Sequence, residues 1–108
     1  EVLPGWKPVS TITFEDLVAN YGMAFDTLVA DCEGALFYIL QDDPAMLDGI
    51  STVILEADYP NAEHKRSVEA VFARHGMTRI HSEPLVTDWQ HPFPDEVAAS
   101  FFEVWRRA

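Results

Sequence analysis

Apolar residues recur along the chain in two spacings, and the change from one to the other divides it into helices and strands. Spacings of three and four, as at Phe14, Leu17, Val18 and Tyr21, are typical of an amphipathic helix. Short β-branched and apolar runs, as at 52–57, are typical of strands. The pattern predicts strands at 27–30, 52–57, 77–81 and 100–105, and helices at 14–21, from 34 to just before Pro44, at 45–47 and from 61 to 75.

Residues with known capping preferences stand at the ends of these predicted helices. Thr13 is a predicted N-cap of the first helix, with Asp16 three residues later in the capping-box position, and Gly22 closes that helix. Asn61 is suited to cap the third helix, and Gly76 follows its predicted end. The capping residues therefore agree with the boundaries that the apolar spacing predicts.

The order of the elements predicts an α/β fold with a mixed sheet of about four strands and flanking helices. A helix joins the first two strands, so we expect them to pair in parallel through a right-handed crossover. The segment 83–96 holds three prolines and is predicted to be a long loop or partly helical, so the last two strands should be antiparallel neighbours. The strand at 27–30 is apolar enough to predict burial on both faces and an additional cover at its edge.

Composition limits the class of protein. A chain of 108 residues, 48% of them hydrophobic, predicts one globular domain over 1–108. The net charge of −11 repels phosphate backbones, so we expect no nucleic-acid partner. No apolar run reaches the roughly 18–20 residues of a membrane span, and no signal-peptide pattern opens the chain, so we expect a cytoplasmic protein without a membrane partner. The single Cys32 fits a reducing compartment.

Pairs of acids follow two of the predicted strands. Asp31 and Glu33 come directly after the first strand, and Glu56 and Asp58 end the second. Ligands of open α/β sheets bind outside the carboxyl ends of the strands, so we expect the four acids on one rim. We interpret Asp31, Glu33 and Glu56 as candidate catalytic residues and Asp58 as a candidate substrate contact. The alternative is that these acids only solvate the strand ends and interact favourably with the next helix N-terminus.

A histidine, the cysteine and the aromatic residues of the long loop are weaker candidates for the site than the four acids. His81 flanks the long loop and is a candidate substrate contact within reach of the acids, and the pKa of Cys32 should be raised by its acidic neighbours. Four acids would suit a hard divalent cation, but acids cluster by chance in a chain this acidic, and we assign no metal ligand. Trp89, Pro92 and Phe93 are candidates for a lid over a pocket, with packing under the loop as the alternative.

Three segments together resemble the C-terminal half of FkbM-type methyltransferases, over roughly residues 9–82. They are Thr-Ile-Thr-Phe-Glu-Asp-Leu at 11–17, Leu-Val-Ala-Asp-Cys-Glu-Gly-Ala at 28–35 and Val-Ile-Leu-Glu at 53–56. The family has a T-L-D-D-L helix start, then D-x-E-G-A-E after a central strand, then a strand ending in Glu. Asp31, Glu33, Gly34 and Ala35 match the second motif, whereas Leu36 stands where the family usually has a second Glu.

The resemblance implies a partial Rossmann-like methyltransferase sheet, S-adenosylmethionine as the family's cofactor and methyl transfer to a hydroxyl oxygen. The family holds its cofactor in a Gly-rich turn, but the five glycines of this chain are scattered and form no Gly-x-Gly. We therefore expect the C-terminal portion of such a domain, starting near the fourth strand of the sheet. We expect it to have no cofactor-binding residues of its own and to be inactive alone.

Two kinds of partner follow from these expectations. As a methyltransferase half, the chain would need the missing N-terminal half that carries the Gly-rich turn. The alternative is a non-catalytic interaction or dimerisation module, which would form a homodimer by pairing its exposed strand edge with a second copy.

Overall fold

The computed structural model describes residues 1–108. Four strands form an open mixed sheet, and helices pack against one of its faces. The strands are β1 (Thr27–Ala30), β2 (Thr52–Glu56), β3 (Met77–Glu83) and β4 (Phe102–Arg107). The helices are α1 (Phe14–Tyr21), α2 (Leu36–Asp42), α3 (Ala62–Arg74) and α4 (Asp95–Ala98), with a single 3₁₀ turn at Pro44–Leu47. The predicted α/β class, with a four-stranded mixed sheet and flanking helices, is confirmed.

The strands are ordered β1-β2-β4-β3. β1 pairs in parallel with β2, beginning with Thr27 opposite Thr52, as the sequence predicted. β4 is antiparallel to β3, also as predicted, with an irregularity between Arg79 and His81. β4 is in addition antiparallel to β2, so the last strand of the chain lies between the two that precede it. This insertion was not predicted, because a strand pattern does not identify both neighbours of a strand.

The core lies between the sheet and the helices that connect its strands. Val53 and Leu55 of β2 point into it and meet Leu36 of α2 and Phe72 of α3. Each fully buried aliphatic or aromatic side chain contributes roughly 1.5–3 kcal/mol relative to its exposed state. Sixteen buried hydrophobic residues belong to this single cluster, and the described chain forms one core.

The opposite face of the sheet is open, which corrects one prediction. The sequence predicted that β1 is buried on both faces, but Val29 is 69% exposed, and Ile54 of β2 and Ile80 of β3 are exposed on their strands too. Both crossover helices lie on one side because right-handed connections that proceed in one direction across a sheet place their helices on the same face. Nothing in the chain covers the other face of β1, so this strand presents both an open face and an open edge.

The predicted helix ends are confirmed by their hydrogen bonds. Thr13 Oγ1 accepts a hydrogen bond from the Asp16 amide at 3.0 Å, and Asn61 Oδ1 accepts one from the His64 amide at 2.8 Å. Gly22 closes α1 with φ of 62°, in the left-handed region. α1 buries none of its side chains, so its apolar stripe is not part of the core.

A buried ion pair joins α3 to β4. Lys65 and Glu103 are 3% and 2% exposed and bond to each other directly. The Lys65 ammonium also donates to the Ser100 carbonyl at 3.1 Å, and the indole of Trp105 donates to Glu103 Oε2 at 2.5 Å. The sequence pattern predicted no buried charge here, since charged residues on a helix are usually solvated.

The molecule is flat and has more surface than its mass predicts. Its principal extents are 46 × 42 × 21 Å, about the thickness of one sheet and one layer of helices. It exposes 7419 Å². A folded monomer of 12.2 kDa is expected to expose about 6,100 Å². None of its helices is long and apolar enough to cross a membrane.

Candidate functional site

Four acidic side chains converge where the chain leaves β1 and β2. These strands are parallel neighbours, so their carboxyl ends lie at the same edge of the sheet. Carboxylate oxygens, one from each residue, lie within 4.8 Å of one another. The residues of this acid rim are Asp31, Glu33, Glu56 and Asp58. The structure brings together all four acids that the sequence pattern selected, and their chemical roles stay predictions.

A hydrogen bond connects the turn after β1, which carries Asp31 and Glu33, to the turn after β2, which carries Asp58. Glu33 and Gly34 have φ of 53° and 83°, in the left-handed region that suits glycine and strains glutamate. The Gly34 amide donates a hydrogen bond to Asp58 Oδ1 at 2.9 Å. A Cβ atom on Gly34 would lie 3.0 Å from the carbonyl oxygen of Asp58, so this close approach of the two loops requires glycine.

The four acids differ in their burial. Asp58 is only 8% exposed, Glu56 is half-buried, and Asp31 and Glu33 are exposed. One oxygen of the Asp58 carboxylate, Oδ2, is buried and has no hydrogen-bond donor. A buried carboxylate oxygen without a donor is unfavourable unless a charge or a ligand compensates it. The acid rim therefore has a buried end at Asp58 and an open end at Asp31 and Glu33.

Burial and the neighbouring negative charges raise the pKa of one acid of the rim, Glu56. Burial raises the pKa of Glu56, and the neighbouring Asp31 raises that pKa further through a hydrogen bond and through its negative charge. Asp58 and Glu33 add smaller effects in the same direction. A carboxylate with a raised pKa is a stronger base and is better suited to exchange protons with a ligand hydroxyl. Glu56 is therefore the acid of the rim best suited to be a general base.

Cys32 lies between the acids in sequence and is not a reactive thiol. Burial raises its pKa, and the negative charges of Asp58 and Asp31 raise it further, although amide hydrogen bonds oppose the shift. The direction agrees with the sequence prediction, but burial is the larger cause and the acidic neighbours the smaller one. The thiol packs against the core cluster, which agrees with a spacer role.

Two clefts open onto the acid rim from opposite sides. A cleft of about 610 Å³ is lined by Glu33 and Asp58 together with Gly34, Tyr38, Pro92 and Phe93. A second cleft, of about 270 Å³, lies on the open face of the sheet and contains Asp31, Glu56 and His81. A ligand in either cleft would contact two of the four acids.

The structure places His81 in the same cleft as two of the acids, and its role as a substrate contact stays a prediction. It lines the second cleft with Asp31 and Glu56, and its Nε2 lies 3.1 Å from Oε1 of Glu83. The predicted lid is divided between two places. Pro92 and Phe93 line the larger cleft, whereas Trp89 lines a second pocket, which Phe93 also borders.

Two features of the site were missed from the sequence. Tyr38 lines the larger cleft, and its position four residues after Gly34, in the first turn of α2, was the available signal. The hydrogen bond from Gly34 to Asp58 was also missed, since residues 24 apart carry no local pattern. The glycine directly after a pair of acids was the signal for a close backbone approach.

The turns of the acid rim hold few glycines. A turn that cradles a nucleotide offers free backbone amides to its ligand, which requires glycines close together. Gly34 is the only glycine at the acid rim, and its amide already donates to Asp58. These residues therefore do not form a cradle for S-adenosylmethionine. Comparison with protein-family models, with curated proteins and with solved structures found no match.

Proposed function

We propose that this chain is the C-terminal half of an FkbM-type methyltransferase fold that transfers a methyl group to a hydroxyl oxygen. In this proposal the S-adenosylmethionine site belongs to a Gly-rich half outside these 108 residues. The chain itself contributes the acceptor side of the site and is inactive alone. The motifs at 11–17, 28–35 and 53–56 suggest the family, and the structure adds independent support.

The strand order is the observation that carries the proposal. The resemblance implies a Rossmann-like sheet whose last strand is antiparallel. The order β1-β2-β4-β3, with β4 antiparallel to both of its neighbours, has this arrangement. Because unrelated functions share such folds, the strand order supports the family and the acid rim supports the chemistry.

The open side of β1 fits the position of a missing half. β1 is at the edge of the sheet, and its Val29 side chain is largely exposed. An apolar, uncovered edge strand has unpaired backbone N–H and C=O groups that can bond to a further strand. The N-terminal half of a Rossmann-like sheet would add its strands at this edge and lay its helices over the open face.

The acid rim would face the methyl acceptor. Glu56, whose pKa is raised by burial and by Asp31, would accept the proton of the acceptor hydroxyl, with Asp31 and Glu33 beside it. Asp58 and His81 would contact the acceptor from the two clefts. In this proposal the residues of the chain contact and deprotonate the methyl acceptor, and the missing half holds the methyl donor.

The test begins with the coding sequence that precedes residue 1. We expect a Glu/Asp-x-Gly-x-Gly turn after a predicted strand, in the same reading frame or in a neighbouring gene. The complete product, or the two products expressed together, should then elute as one species that contains the chain. Absence of any such turn, or failure of the two products to associate, would count against the proposal.

A second candidate function, a non-catalytic dimerisation module, is favoured by the exposed surface. The chain exposes about 1,300 Å² more than a monomer of its mass. A standard interface buries about 800 Å² on each partner, so the excess is large enough for one. Two copies paired along β1 would extend the sheet across a two-fold axis. Light scattering distinguishes the candidates: the module predicts a dimer whose mass stays constant as the chain is diluted, whereas an uncovered edge alone predicts association that grows with concentration.

A further inference from the structure

We propose that the acid rim binds a hard divalent cation, for which Ca²⁺ is the best match in size. The proposal concerns the carboxylates of Asp31, Glu33, Glu56 and Asp58 and does not depend on the methyltransferase assignment. It rests on the spacing of the oxygens, on the unpartnered oxygen of Asp58 and on the absence of neighbouring cationic side chains.

The spacing of the oxygens matches a coordination sphere. One oxygen from each of the four acids lies within 4.8 Å of the others. Protein ligands bind Ca²⁺ at 2.3–2.6 Å, so two ligands on opposite sides of the ion are about 4.8 Å apart. Mg²⁺ demands a near-ideal octahedron at 2.0–2.1 Å and dehydrates reluctantly, so a rim made only of carboxylates suits Ca²⁺ better. The four oxygens are therefore close enough together for one calcium-sized ion to contact all of them.

Asp58 supplies an observation that the clustering of acids alone does not. Asp58 is only 8% exposed, and its Oδ1 accepts a hydrogen bond from the Gly34 amide. Its Oδ2 is buried and has no hydrogen-bond donor. Buried carboxylate oxygens are normally paired or bound to a metal. A cation in the acid rim would provide the partner that Oδ2 lacks.

No side chain of the protein neutralises the acid rim. Lys65 and Arg79 pair with Glu69 and Glu103, and Arg66 pairs with Glu96. The ion pairs of histidine involve Asp48 and Glu83. None of these contacts reaches the four acids of the rim, so their mutual repulsion is relieved only by a proton, by solvent or by a bound cation.

The chemistry of the ligands selects the class of ion. All four ligands are carboxylate oxygens, which suit Ca²⁺, Mg²⁺ and Mn²⁺ better than softer metals. The exposed end at Asp31 and Glu33, and the clefts on either side, leave space for water molecules to complete the coordination sphere.

The test is calorimetric titration of the complete chain, stripped with a chelator, with CaCl₂ and separately with MgCl₂ at 0.15 M salt. We expect one Ca²⁺ site with a Kd of about 10⁻⁴ M or tighter, and weaker binding of Mg²⁺. Asp58→Asn keeps an oxygen acceptor for the Gly34 amide and removes only the charge. This variant and Glu56→Gln should each weaken Ca²⁺ binding at least tenfold, with folding checked by circular dichroism.

The matched control removes two acids elsewhere. The double variant Asp42→Asn/Asp43→Asn changes the net charge by more than either rim variant and lies at the end of α2, so it should bind Ca²⁺ like the wild type. Absence of Ca²⁺ binding at 5 mM would overturn the proposal. The proposal would also be overturned if both rim variants bound Ca²⁺ as tightly as the wild type, or if the control lost as much affinity as the rim variants. In either case the binding would reflect diffuse charge attraction. If Asp58→Asn does not fold, Glu56→Gln alone decides between these outcomes.

Discussion

The Gly34 amide donates a hydrogen bond to Oδ1 of Asp58 at 2.9 Å and so connects the turn after β1 to the turn after β2. The two residues are 24 apart in sequence, and the contact holds the acids of both turns on one rim. Gly34 has φ of 83°, and there is no space for a side chain between it and the Asp58 backbone. The acid rim therefore depends on a glycine as much as on its carboxylates.

Gly34→Ala should destabilise the protein by about 1–3 kcal/mol from the strained backbone alone, and the contact with Asp58 should add to this. Urea unfolding measures the loss. Gly49→Ala is the matched control, since Gly49 has no left-handed φ and its added Cβ would meet only the Phe25 carbonyl at an ordinary 3.5 Å. Equal stability of Gly34→Ala and Gly49→Ala would contradict the role assigned to Gly34.

Breaking the buried ion pair between α3 and β4 should be strongly destabilising. Lys65→Met leaves the buried carboxylate of Glu103 with only the half-exposed Arg79 guanidinium, 3.8 Å away, as a cationic neighbour, and we expect a loss of about 3–5 kcal/mol in urea unfolding. The double variant Lys65→Met/Glu103→Leu should recover much of that loss, because no charge stays buried. Arg66→Met breaks an exposed pair with Glu96 and should cost less than about 1 kcal/mol. A Lys65→Met variant as stable as Arg66→Met would show that the pair is not buried.

Tyr59 should make the protein less stable at alkaline pH. Its hydroxyl is buried without a hydrogen-bond partner, and burial, with a smaller effect of the Glu103 charge, raises its pKa far above the ordinary value of 10.0. Above pH 10 the unfolded state loses this proton while the folded state keeps it, so stability falls as pH rises. Below pH 10 both states keep the proton, and the stability is fully present.

Tyr59→Phe isolates this effect. We expect it to change stability by less than about 1 kcal/mol at pH 7, since the hydroxyl makes no hydrogen bond that would be lost. Between pH 10 and 12 its stability should fall less steeply than that of the wild type in urea unfolding. Tyr21→Phe changes an exposed tyrosine and should follow the wild type. Parallel curves for wild type and Tyr59→Phe would contradict the burial of the phenol.

The open edge at β1 should make the isolated chain self-associate as its concentration rises, because an uncovered apolar strand pairs with other chains. Val29→Lys should suppress this association and change stability by no more than about 0.5 kcal/mol, since Val29 is exposed. Multi-angle light scattering measures the mass. Val86→Lys, at an apolar residue 84% exposed in the long loop, is the control and should associate like the wild type. Association that persists in Val29→Lys would exclude β1 as the contact.

Local sequence signals predicted the helix ends and the strands well. Two helices begin at the N-caps Thr13 and Asn61, and α1 ends at Gly22. These ends depend on short-range hydrogen bonds and on backbone conformation, which a few adjacent residues determine. The strand boundaries shifted by two residues at the C-terminal side: β3 continues to Glu83 instead of 81, and β4 spans Phe102–Arg107 instead of 100–105. Pairing between these two strands sets those ends, and pairing is a tertiary property.

Long-range features were beyond the reach of local patterns. The apolar run of β1 predicted burial on both faces, but whether a helix covers each face depends on the direction of every crossover. The burial of Lys65 and Asp58 likewise depends on partners far along the chain, Glu103 and Gly34. The convergence of the four acids was predictable because it follows from two parallel strands that end at one edge.

The most direct test of the proposed function is calorimetric titration with S-adenosylmethionine of the isolated chain and of the chain joined to its Gly-rich half. We predict no binding by the isolated chain, because its only glycine at the acid rim already donates to Asp58. We predict micromolar binding once the second half is present. Micromolar binding by the isolated chain, or none by the assembled protein, would contradict the assignment of this chain as the acceptor half of a methyltransferase.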